Sequence, residues 1–517
     1  MSNRDQSCFP FERVNLSLFD LLGRDYVEAA LEARCRLTGR RAAALRRAAL
    51  QKIDFFPSAF HRRLEAMLPK VGMRISRPLR RQSAGASTRA FCAADNPAAS
   101  PLSGLGYYRV GADGRLYMMC KCEHYHVSLG HAFPGYELID RARRLGLPSA
   151  THNNTRGEIT RILELELIRA VNGLRPNAPL KRLLSSERRG DLNRVLNLQT
   201  GSLSAEAAIK MMLARFYRVQ PDSPPPVYAG RKPVFVVMGD VDGGPSANYH
   251  GTTIITQIFR GMWPDLLGKN GPVRVAPVRP DDLPGLERTF VRRDKAPEKI
   301  AGLLYEPVLM NYGARKLGKA FVRRLHALCR ERGVPVMVDE IQTALWHPDL
   351  FMFRSYGVRP TFVILGKGFP GGEFCASRVI FSADMDCLPQ FGALVTNGQE
   401  DLASLSYLVT MRWAQANQRS TRKVGRYYQL RLQSLADRFP RLIAGVEGEG
   451  HLAALTFRDL VLARLFAAKL VNGGLDISVQ AYKQACPPAA LTKLPLIVGP
   501  RAIDFVIDRM DEALRTL

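Results

Sequence analysis

The chain has 517 residues, of which 46% are hydrophobic and 23% charged. This composition is typical of a globular protein, and the length allows two or more core-forming units. No apolar run approaches the roughly 20 residues that a membrane-spanning helix needs, and residues 1–20 lack the apolar core of a secretory signal. A membrane protein and a secreted protein are not expected, and the predicted location is the cytoplasm.

The net charge of +27 is unusual for an enzyme, and much of it lies early in the chain. Residues 34–89 contain 15 lysines and arginines against two acidic residues, Asp54 and Glu65. Such a run could bind nucleic acid or an anionic surface, or it could be the solvated face of helices. Aromatic residues are not interleaved with the arginines as base stacking requires, so nucleic acid is not expected as a partner.

The first elements are predicted to be helices. Residues 16–70 are rich in Ala, Leu and Arg, and their apolar residues recur every three or four positions. Residues 83–104 are a connector of small residues and prolines. The segment YYRVGADGRLYMM (107–119) then predicts a hairpin that turns at Asp113 and Gly114.

Two cysteines and two histidines follow the hairpin within seven residues: Cys120, Cys122, His124 and His126. They could be drawn as a metal site, but no second ligand pair stands at a zinc-like spacing. The preferred interpretation is a single strand whose successive side chains point to opposite faces, and no metal is expected. The nine scattered cysteines of the chain indicate reduced thiols in a reducing compartment.

Helices then alternate with short apolar strands. The predicted helices are EITRILELELIRAVNG (158–173), TGSLSAEAAIKMMLARFY (200–217) and GKAFVRRLHALCRERG (318–333). The predicted strands are PVFVVMGD (233–240), AGLLYEP (301–307), VPVMVDE (334–340) and TFVILGK (361–367). Because these strands are apolar throughout, they predict a parallel sheet that is covered on both faces, as in α/β proteins.

A polar residue ends each of the four apolar strands: Asp240, Glu306, Asp339 and Lys367. Ligands of open parallel sheets bind at the carboxyl ends of the strands. A lysine after a strand is most often an exposed turn residue, but here it should lie at the same edge as the acids. The sequence therefore predicts a site at this edge.

Seven motifs stand in the order in which one known family has them. They are DGRLYMMCKCEHYHVSLGHAFPG (113–135), TGSLSAEAAIK (200–210), NYHGTT (248–253), YEPV (305–308), VDEIQT (338–343), LGKG (365–368) and VTNG (395–398). Through them the chain resembles, from about Tyr107 to its C-terminus, the class III (ornithine/omega-type) aminotransferases. Members of that family are fold-type I enzymes that use pyridoxal 5′-phosphate.

The resemblance implies an α/β fold with a large domain and a smaller one. The large domain, residues 161–400, would hold a mostly parallel seven-stranded sheet covered by helices. The smaller α+β domain would come from both chain ends, residues 101–160 and 401–517. Residues 1–100 would be an additional, mostly helical and basic extension.

By the same resemblance, Lys367 is the catalytic lysine that holds the cofactor aldehyde as a Schiff base. A lysine can do so when partial desolvation near other charges leaves its amine neutral part of the time. Asp339 would also be catalytic, because a buried carboxylate beside the pyridine nitrogen stabilises the ring as an electron sink. Both residues would therefore bind the cofactor as well.

The other residues that the resemblance assigns to the cofactor are Gly201, Ser202, Tyr249, His250, Glu306, Gln342 and Thr396. Gly201 and Ser202 begin a helix whose free N–H groups suit a phosphate, although an ordinary serine-rich cap gives the same pattern. Tyr249 matches the ring-stacking aromatic and Gln342 the residue that bonds the ring hydroxyl oxygen. Thr396 matches a threonine that reaches the neighbouring subunit's phosphate, which implies a homodimer with shared active sites.

The chain departs from the family mainly where substrates bind. Thr200 and Ala205 replace a serine and an asparagine of the phosphate helix. The segments TALWHPDL (343–350) and GQEDL (398–402) replace glycine-rich family segments, the first of which carries an arginine. Lys493 is the only rough counterpart of a carboxylate-binding arginine, and a lysine lacks the bidentate fork. Glutamate or 2-oxoglutarate is therefore not assured as a substrate.

These observations predict a pyridoxal-phosphate-dependent aminotransferase that moves an amino group from an amine or amino-acid donor to a carbonyl acceptor. A racemase, aminomutase, decarboxylase or lyase would use the same cofactor contacts, so the fold cannot separate them. A different class of protein is a second alternative, in which the cofactor domain is a relic and the basic extension binds nucleic acid or another partner. The retained Lys367, Asp339 and Gln342 argue against that alternative.

Overall fold

The computed structural model describes residues 10–149, 153–176, 178–267, 270–396, 398–480 and 486–517. Within these ranges, no helix combines the length and the apolar character needed to cross a membrane. The helices predicted for residues 16–70 are confirmed. The N-terminal elements are β1 (Asn15–Leu16), α1 (Leu18–Leu22), α2 (Arg24–Thr38), α3 (Ala42–Leu50), β2 (Ile53–Asp54), α4 (Ser58–Met67) and α5 (Arg89–Ala94).

The predicted hairpin is also confirmed. The next elements are β3 (Pro101–Leu105), β4 (Tyr108–Gly111), β5 (Leu116–Met119), α6 (Cys122–Tyr125) and α7 (Glu137–Arg144). Strands β4 and β5 pair antiparallel, with Tyr108 opposite Met118. The interpretation of the cysteine–histidine segment as a strand is wrong, because β5 ends at Met119 and Cys122, Glu123 and Tyr125 have positive φ values that no strand allows.

The middle of the chain forms a seven-stranded sheet with helices on both faces. Its elements are α8 (Glu158–Val171), α9 (Lys181–Leu184), β6 (Leu192–Leu198), α10 (Gly201–Leu213), β7 (Lys232–Met238), α11 (Ile254–Ile258), β8 (Arg274–Val278), α12 (Leu283–Arg293), β9 (Glu298–Tyr305), β10 (Val308–Leu309), β11 (Arg315–Lys316), α13 (Lys319–Glu331), β12 (Val336–Asp339), α14 (Phe353–Tyr356), β13 (Phe362–Leu365) and β14 (Ser377–Ser382). The strand order is β6-β14-β13-β12-β9-β7-β8. Strand β14 runs antiparallel to the other six strands of this sheet.

Apolar residues on both faces of the sheet explain why its strands lack polar alternation. Along β7, Val234 and Val236 belong to one hydrophobic core, whereas Phe235 and Val237 belong to a second core on the opposite face. Successive side chains of a strand point to opposite faces, so both faces of β7 are covered. Parallel β9, β12 and β13 therefore end together at one buried edge.

The C-terminal part adds a second layered unit. Its elements are α15 (Asp401–Ala416), α16 (Gln418–Arg438), β15 (Ile443–Glu449), β16 (Leu452–Phe457), α17 (Leu460–Asn472), β17 (Leu475–Asp476), β18 (Ser478–Gln480), β19 (Ala489–Lys493) and α18 (Pro500–Arg515). One four-stranded sheet has the order β15-β16-β19-β18. The other, β17-β5-β4-β3, joins strands from both parts of the chain, with Leu475 opposite Met118.

The N-terminal extension packs against the rest of the molecule. The Phe11 ring lies 5.7 Å from that of Trp413 on α15, and the Glu12 N–H donates to Asn417 Oδ1 at 2.8 Å. Arg141 on α7 donates to the carbonyls of Ala48 and Gln51. The extension is thus part of the fold, while nearly all of its basic side chains between residues 34 and 89 are exposed.

Candidate active site

A pocket opens at the carboxyl edge of the central strands. It has a volume of about 150 Å³, several times the liquid volume of a water molecule. The residues that line it are Gly201, Ser202, Tyr249, His250, Gly251, Glu306, Asp339, Ile341, Gln342 and Lys367. Eight of the nine residues predicted from the sequence therefore meet in one pocket, although they span more than 160 positions of the chain.

Two residues expected near this edge lie elsewhere. Thr396 is exposed and does not line the pocket of its own chain, so its predicted contact with a neighbouring subunit stays a prediction. Asp240 follows β7 but accepts hydrogen bonds from Gly244 N–H (2.7 Å) and the Ser246 hydroxyl (2.5 Å). Its carboxylate shapes the loop that leads to Tyr249 and does not face the pocket.

Lys367 follows β13 with a strained backbone. Its φ is +38°, a region that side chains other than glycine adopt at a cost. Burial lowers the pKa of the Lys367 amine, and the carboxylates of Asp339 and Glu306 partly oppose that effect. The next residue is held on two sides, because the Ser128 hydroxyl donates to the Gly368 carbonyl at 2.6 Å and a Cβ at Gly368 would lie 2.3 Å from the Trp346 ring.

Asp339 ends β12 with both carboxylate oxygens engaged. Oδ2 lies 2.8 Å from His250 Nδ1, and Oδ1 accepts from the Ile341 N–H at 3.1 Å. Both Asp339 and His250 are buried. The other ring nitrogen of His250, Nε2, is buried without a hydrogen-bond partner among the described residues. A buried carboxylate fixed in this way is suited to a cationic partner inside the pocket.

The amino end of α10 forms another wall of the pocket. Thr200 caps the helix through the Leu203 N–H, and the Thr252 N–H donates to Ser202 Oγ at 3.1 Å. Two glycines allow close approach here. A Cβ on Gly201 would lie 2.3 Å from Ile341 Cδ1, and one on Gly251 would lie 2.7 Å from Ser202 Cα. Free N–H groups and the helix dipole at this end favour an anion.

The main chain of Tyr249 is hydrogen-bonded to the side chain of Glu306. The Tyr249 N–H donates to Glu306 Oε1 at 3.2 Å, and the Arg260 guanidinium lies 4.5 Å from the centre of the Tyr249 ring. Arg260, Gly251 and Ile341 were not identified from the sequence. Gly251 and Ile341 adjoin predicted residues and could have been found as neighbours of the NYHG and VDEIQ motifs, whereas nothing in the sequence marks Arg260.

These residues fit pyridoxal 5′-phosphate. The pocket combines an amine of lowered pKa, a fixed buried carboxylate and an anion-binding helix start, which match the aldehyde, the pyridine nitrogen and the phosphate of that cofactor. A metal centre has no comparable support. In the described part of the chain, no group of three or more His, Cys, Asp or Glu side chains is arranged to hold an ion.

The sheet order and the pocket define a fold-type I pyridoxal-phosphate enzyme, and solved structures agree on the fold. A transaminase from the marine bacterium Virgibacillus superimposes with a TM-score of 0.66 at 16% identity, covering 84% of this chain and 96% of that chain. Residues 103–514 match the family model for class III aminotransferases. The chain belongs to this family, and it is a pyridoxal-phosphate-dependent aminotransferase.

Named relatives have the same activity class. An acetylornithine aminotransferase from Thermosynechococcus vestitus is 26% identical over 340 residues, which are 63% of this chain and 75% of the relative. An ornithine aminotransferase from Bordetella pertussis is 24% identical over 422 residues, 80% of this chain and 90% of the relative. Because the identity is low in both comparisons, they show the family of this chain and not its substrates.

Proposed function

We propose that Lys367 is the amine that attaches to the cofactor and then moves the proton during amino transfer. The observation that carries this proposal is the single pocket that holds Lys367 and Asp339 together with the start of α10. When bound, the cofactor supplies an aldehyde that condenses with amines and a ring that accepts electrons. The lysine contributes a nucleophile whose pKa burial has already lowered.

Asp339 fixes the charge at the ring nitrogen, and His250 fixes Asp339. The 2.8 Å contact between His250 Nδ1 and Asp339 Oδ2 supports this division of roles. Because the Ile341 N–H bonds the other oxygen, the carboxylate cannot rotate without losing a partner. Tyr249, whose N–H donates to Glu306, would pack along the ring of the bound cofactor, and Gln342 would donate to its ring hydroxyl oxygen.

Gly201 and Ser202 bind the phosphate, and Thr396 binds the phosphate of a neighbouring subunit. The exposed position of Thr396, away from its own pocket, supports this assignment. The protein is accordingly proposed to be a homodimer with shared active sites. The cytoplasm remains the location predicted from the sequence.

The proposed domain division is the one predicted from the sequence: 1–100, 101–160, 161–400 and 401–517. The sheet β17-β5-β4-β3 supports a small domain built from both chain parts. The predicted limit after residue 400 coincides with the start of α15, whereas the limit after residue 160 falls inside α8.

The proposed donor is a primary amine at the end of an aliphatic chain, and the acceptor is a small carbonyl compound. The names of the acetylornithine and ornithine aminotransferases support this class. The pocket also supports this class. Among the residues that the structure describes, no arginine lines it that could bind a carboxylate as a fork.

The test is a visible absorption spectrum of the purified protein reconstituted with pyridoxal 5′-phosphate. We expect a band of covalently bound cofactor that borohydride fixes on Lys367, located by peptide mass spectrometry. A suitable donor alone should remove the band completely, because a transaminase completes its first half-reaction without an acceptor. A racemase or a decarboxylase would retain the band. A protein that stays colourless, or whose label lies on another lysine, would overturn the proposal.

A further inference from the structure

A second lysine, Lys493, is buried beside the pocket. It is the last residue of β19, and its exposed fraction is 0%. It does not line the pocket. Burial lowers the pKa of its amine well below the ordinary value, and nearby Lys367 lowers it further while Cys122 opposes the effect. A fully buried lysine is rare unless its amine has specific partners.

Three groups surround the Lys493 amine. Nζ donates to Gln342 Oε1 at 3.1 Å and to the Tyr125 carbonyl at 3.2 Å. It also lies 3.7 Å from the centre of the Trp346 ring, within the range of a cation–π contact. The amine thus joins β19, the segment after β12 and the left-handed turn after β5.

The main chain of Lys493 is held by the same turn that holds its amine. The Lys493 N–H donates to the Cys120 carbonyl at 2.8 Å, and the Cys122 thiol donates to the Lys493 carbonyl at 2.8 Å. Positive φ values at Cys122 and Tyr125 turn this segment back onto Lys493. The position of the amine is therefore fixed from several sides.

Lys493 and Trp346 both belong to segments in which the chain departs from its family, and in the structure they touch. Trp346 packs against Gly368, next to Lys367, and its Nε1 donates to the Leu494 carbonyl at 3.0 Å. The indole ring therefore lies between Lys493 and the main chain that follows Lys367.

The contact decides how the Gln342 amide is oriented. A lysine amine has an N–H for each of its two oxygen partners in either protonation state. Its bond to Oε1 turns the amide oxygen toward Lys493 and the amide nitrogen away from it. Nε2 has no protein acceptor in the ranges that the structure describes, and Gln342 lines the pocket.

We propose that Lys493 is a positioning residue that holds Gln342 with its amide N–H groups directed to the ring oxygen of the bound cofactor. This inference rests on the proposed role of Gln342 as a cofactor contact. A donor at that oxygen stabilises its anionic form, so the loss of Lys493 should be visible in the bound cofactor itself. Lys493 acts only through Gln342 and contacts neither the cofactor nor the substrate.

The test is a double-mutant cycle on the reconstituted enzyme with Lys493→Met, Gln342→Ala and the double variant. The readouts are the Kd for pyridoxal 5′-phosphate and the pH midpoint of the visible band. We expect Lys493→Met to weaken cofactor binding about fivefold, as the loss of one hydrogen bond predicts, and to shift the midpoint upward. In the Gln342→Ala background, Lys493→Met should change neither value.

Gln342→Glu provides a second test of the inference, which remains valid even if the Lys493→Met variant does not fold. The carboxylate keeps an acceptor for Lys493 but has no N–H for the ring oxygen, so this variant should shift the midpoint at least as far as Gln342→Ala. Lys423→Met, at an exposed site on α16, is the matched control and should leave both readouts unchanged.

Three results would overturn the inference. One is an unchanged spectrum and Kd in Lys493→Met or in Gln342→Glu. Another is an equal effect of Lys493→Met with and without Gln342. The third is a rise in KM confined to carboxylate-bearing donors, with the spectrum intact, which would make Lys493 a substrate contact. If the wild-type protein shows no bound cofactor, the proposed function fails instead.

Discussion

Lys367 combines burial, two nearby carboxylates and a left-handed backbone. Its amine faces Asp339 and Glu306 from a backbone with φ of +38°, and burial lowers its pKa. Backbone strain of this kind persists only where the surrounding fold fixes the residue in place. At the scale of single residues, the proposed chemistry of this pocket depends on one amine and one carboxylate at the ends of neighbouring strands.

Replacing Lys367 by Ala should abolish transamination. We expect a loss of turnover of about 10³-fold or more, because the variant lacks both the nucleophile and the group that moves the proton. Turnover is measured with the donor identified from the spectral test. Lys319→Ala, at an exposed position at the start of α13, is the control and should retain full activity. Comparable turnover in the two variants would contradict the assignment.

Glu340, next to Asp339, should make stability depend on pH. Burial, the largest cause, raises the pKa of its carboxyl from 4.5 to about 7, and Asp339 adds to this effect, while hydrogen bonds from Thr343 and Phe353 oppose it. As pH rises from 4.5 to 7, the unfolded chain releases this proton and the folded chain keeps it. The free energy of unfolding should therefore fall over this range, by an amount on the order of 3 kcal/mol.

Urea unfolding of Glu340→Gln at pH 4.5 and pH 7 measures this contribution, because glutamine has no proton to release. The fall in unfolding free energy between the two pH values should be smaller in Glu340→Gln than in the wild-type protein. Glu187→Gln, at an exposed position, should behave like the wild type. Equal pH dependence in all three proteins would show that folding does not raise the pKa of Glu340.

At the scale of elements, the loop before α11 is built to approach the start of α10. Gly251 has φ of +131°, and a Cβ there would lie 2.7 Å from Ser202 Cα. The obstacle is main chain and not the end of a flexible side chain, so α10 or the loop would have to move. The phosphate position proposed for Gly201 and Ser202 would move with it.

Gly251→Ala should therefore weaken pyridoxal 5′-phosphate binding by about tenfold or more, since displaced N–H groups lose charge-assisted bonds to the phosphate. Binding is measured by titration of the cofactor-free protein. Gly445→Ala on β15, where a Cβ meets nothing within 4 Å, is the matched control. Cofactor affinity equal to that of the control would separate this loop from phosphate binding.

At the scale of the whole molecule, the proposed dimer predicts complementation between two defective chains. Thr396→Ala should weaken cofactor binding about tenfold, and Lys367→Ala should be inactive. A heterodimer of the two variants should contain one site with both residues intact, because the proposed site takes Lys367 and Thr396 from different chains. Purified heterodimer should show about half the activity of the wild-type dimer at limiting cofactor.

Differently tagged chains that are unfolded and refolded together provide the heterodimer. If Thr396 instead served its own chain, the chain that retains Lys367 would also carry the Thr396 defect. The heterodimer would then bind the cofactor no better than the Thr396→Ala homodimer. A protein that sediments as a monomer at working concentration would rule out the shared site directly.

The N-terminal extension also belongs to the whole-molecule scale. Phe11 contacts Trp413 of α15, Glu12 bonds Asn417, and the Ala48 carbonyl of α3 accepts a hydrogen bond from Arg141 of α7. Several exposed arginines are paired within the extension. Arg36 pairs with Glu32, and Arg46 pairs with Glu28. These contacts agree with a solvated helical face, the reading that the sequence favoured over nucleic-acid binding.

The sequence by itself determined the type of most elements and the identity of most pocket residues. Continuous apolar strands that alternate with helices leave few topologies besides a covered parallel sheet, and the carboxyl ends of such strands converge. For that reason the sequence alone places Glu306, Asp339 and Lys367 at one edge. Asp240 also follows a strand, but its side chain turns toward its own loop, because the position of a residue at a strand end does not determine the direction of its side chain.

Only the tertiary structure decided which distant segments touch. Tyr125, Gln342, Trp346 and Lys493 meet although more than 360 residues separate the first from the last. No local periodicity carries that information, since it depends on how β19 packs beside the edge of the large sheet. Lys493 matches a substrate-binding arginine only by its position in the sequence. In the structure it is buried and donates to Gln342, a contact that only the packing of distant segments creates.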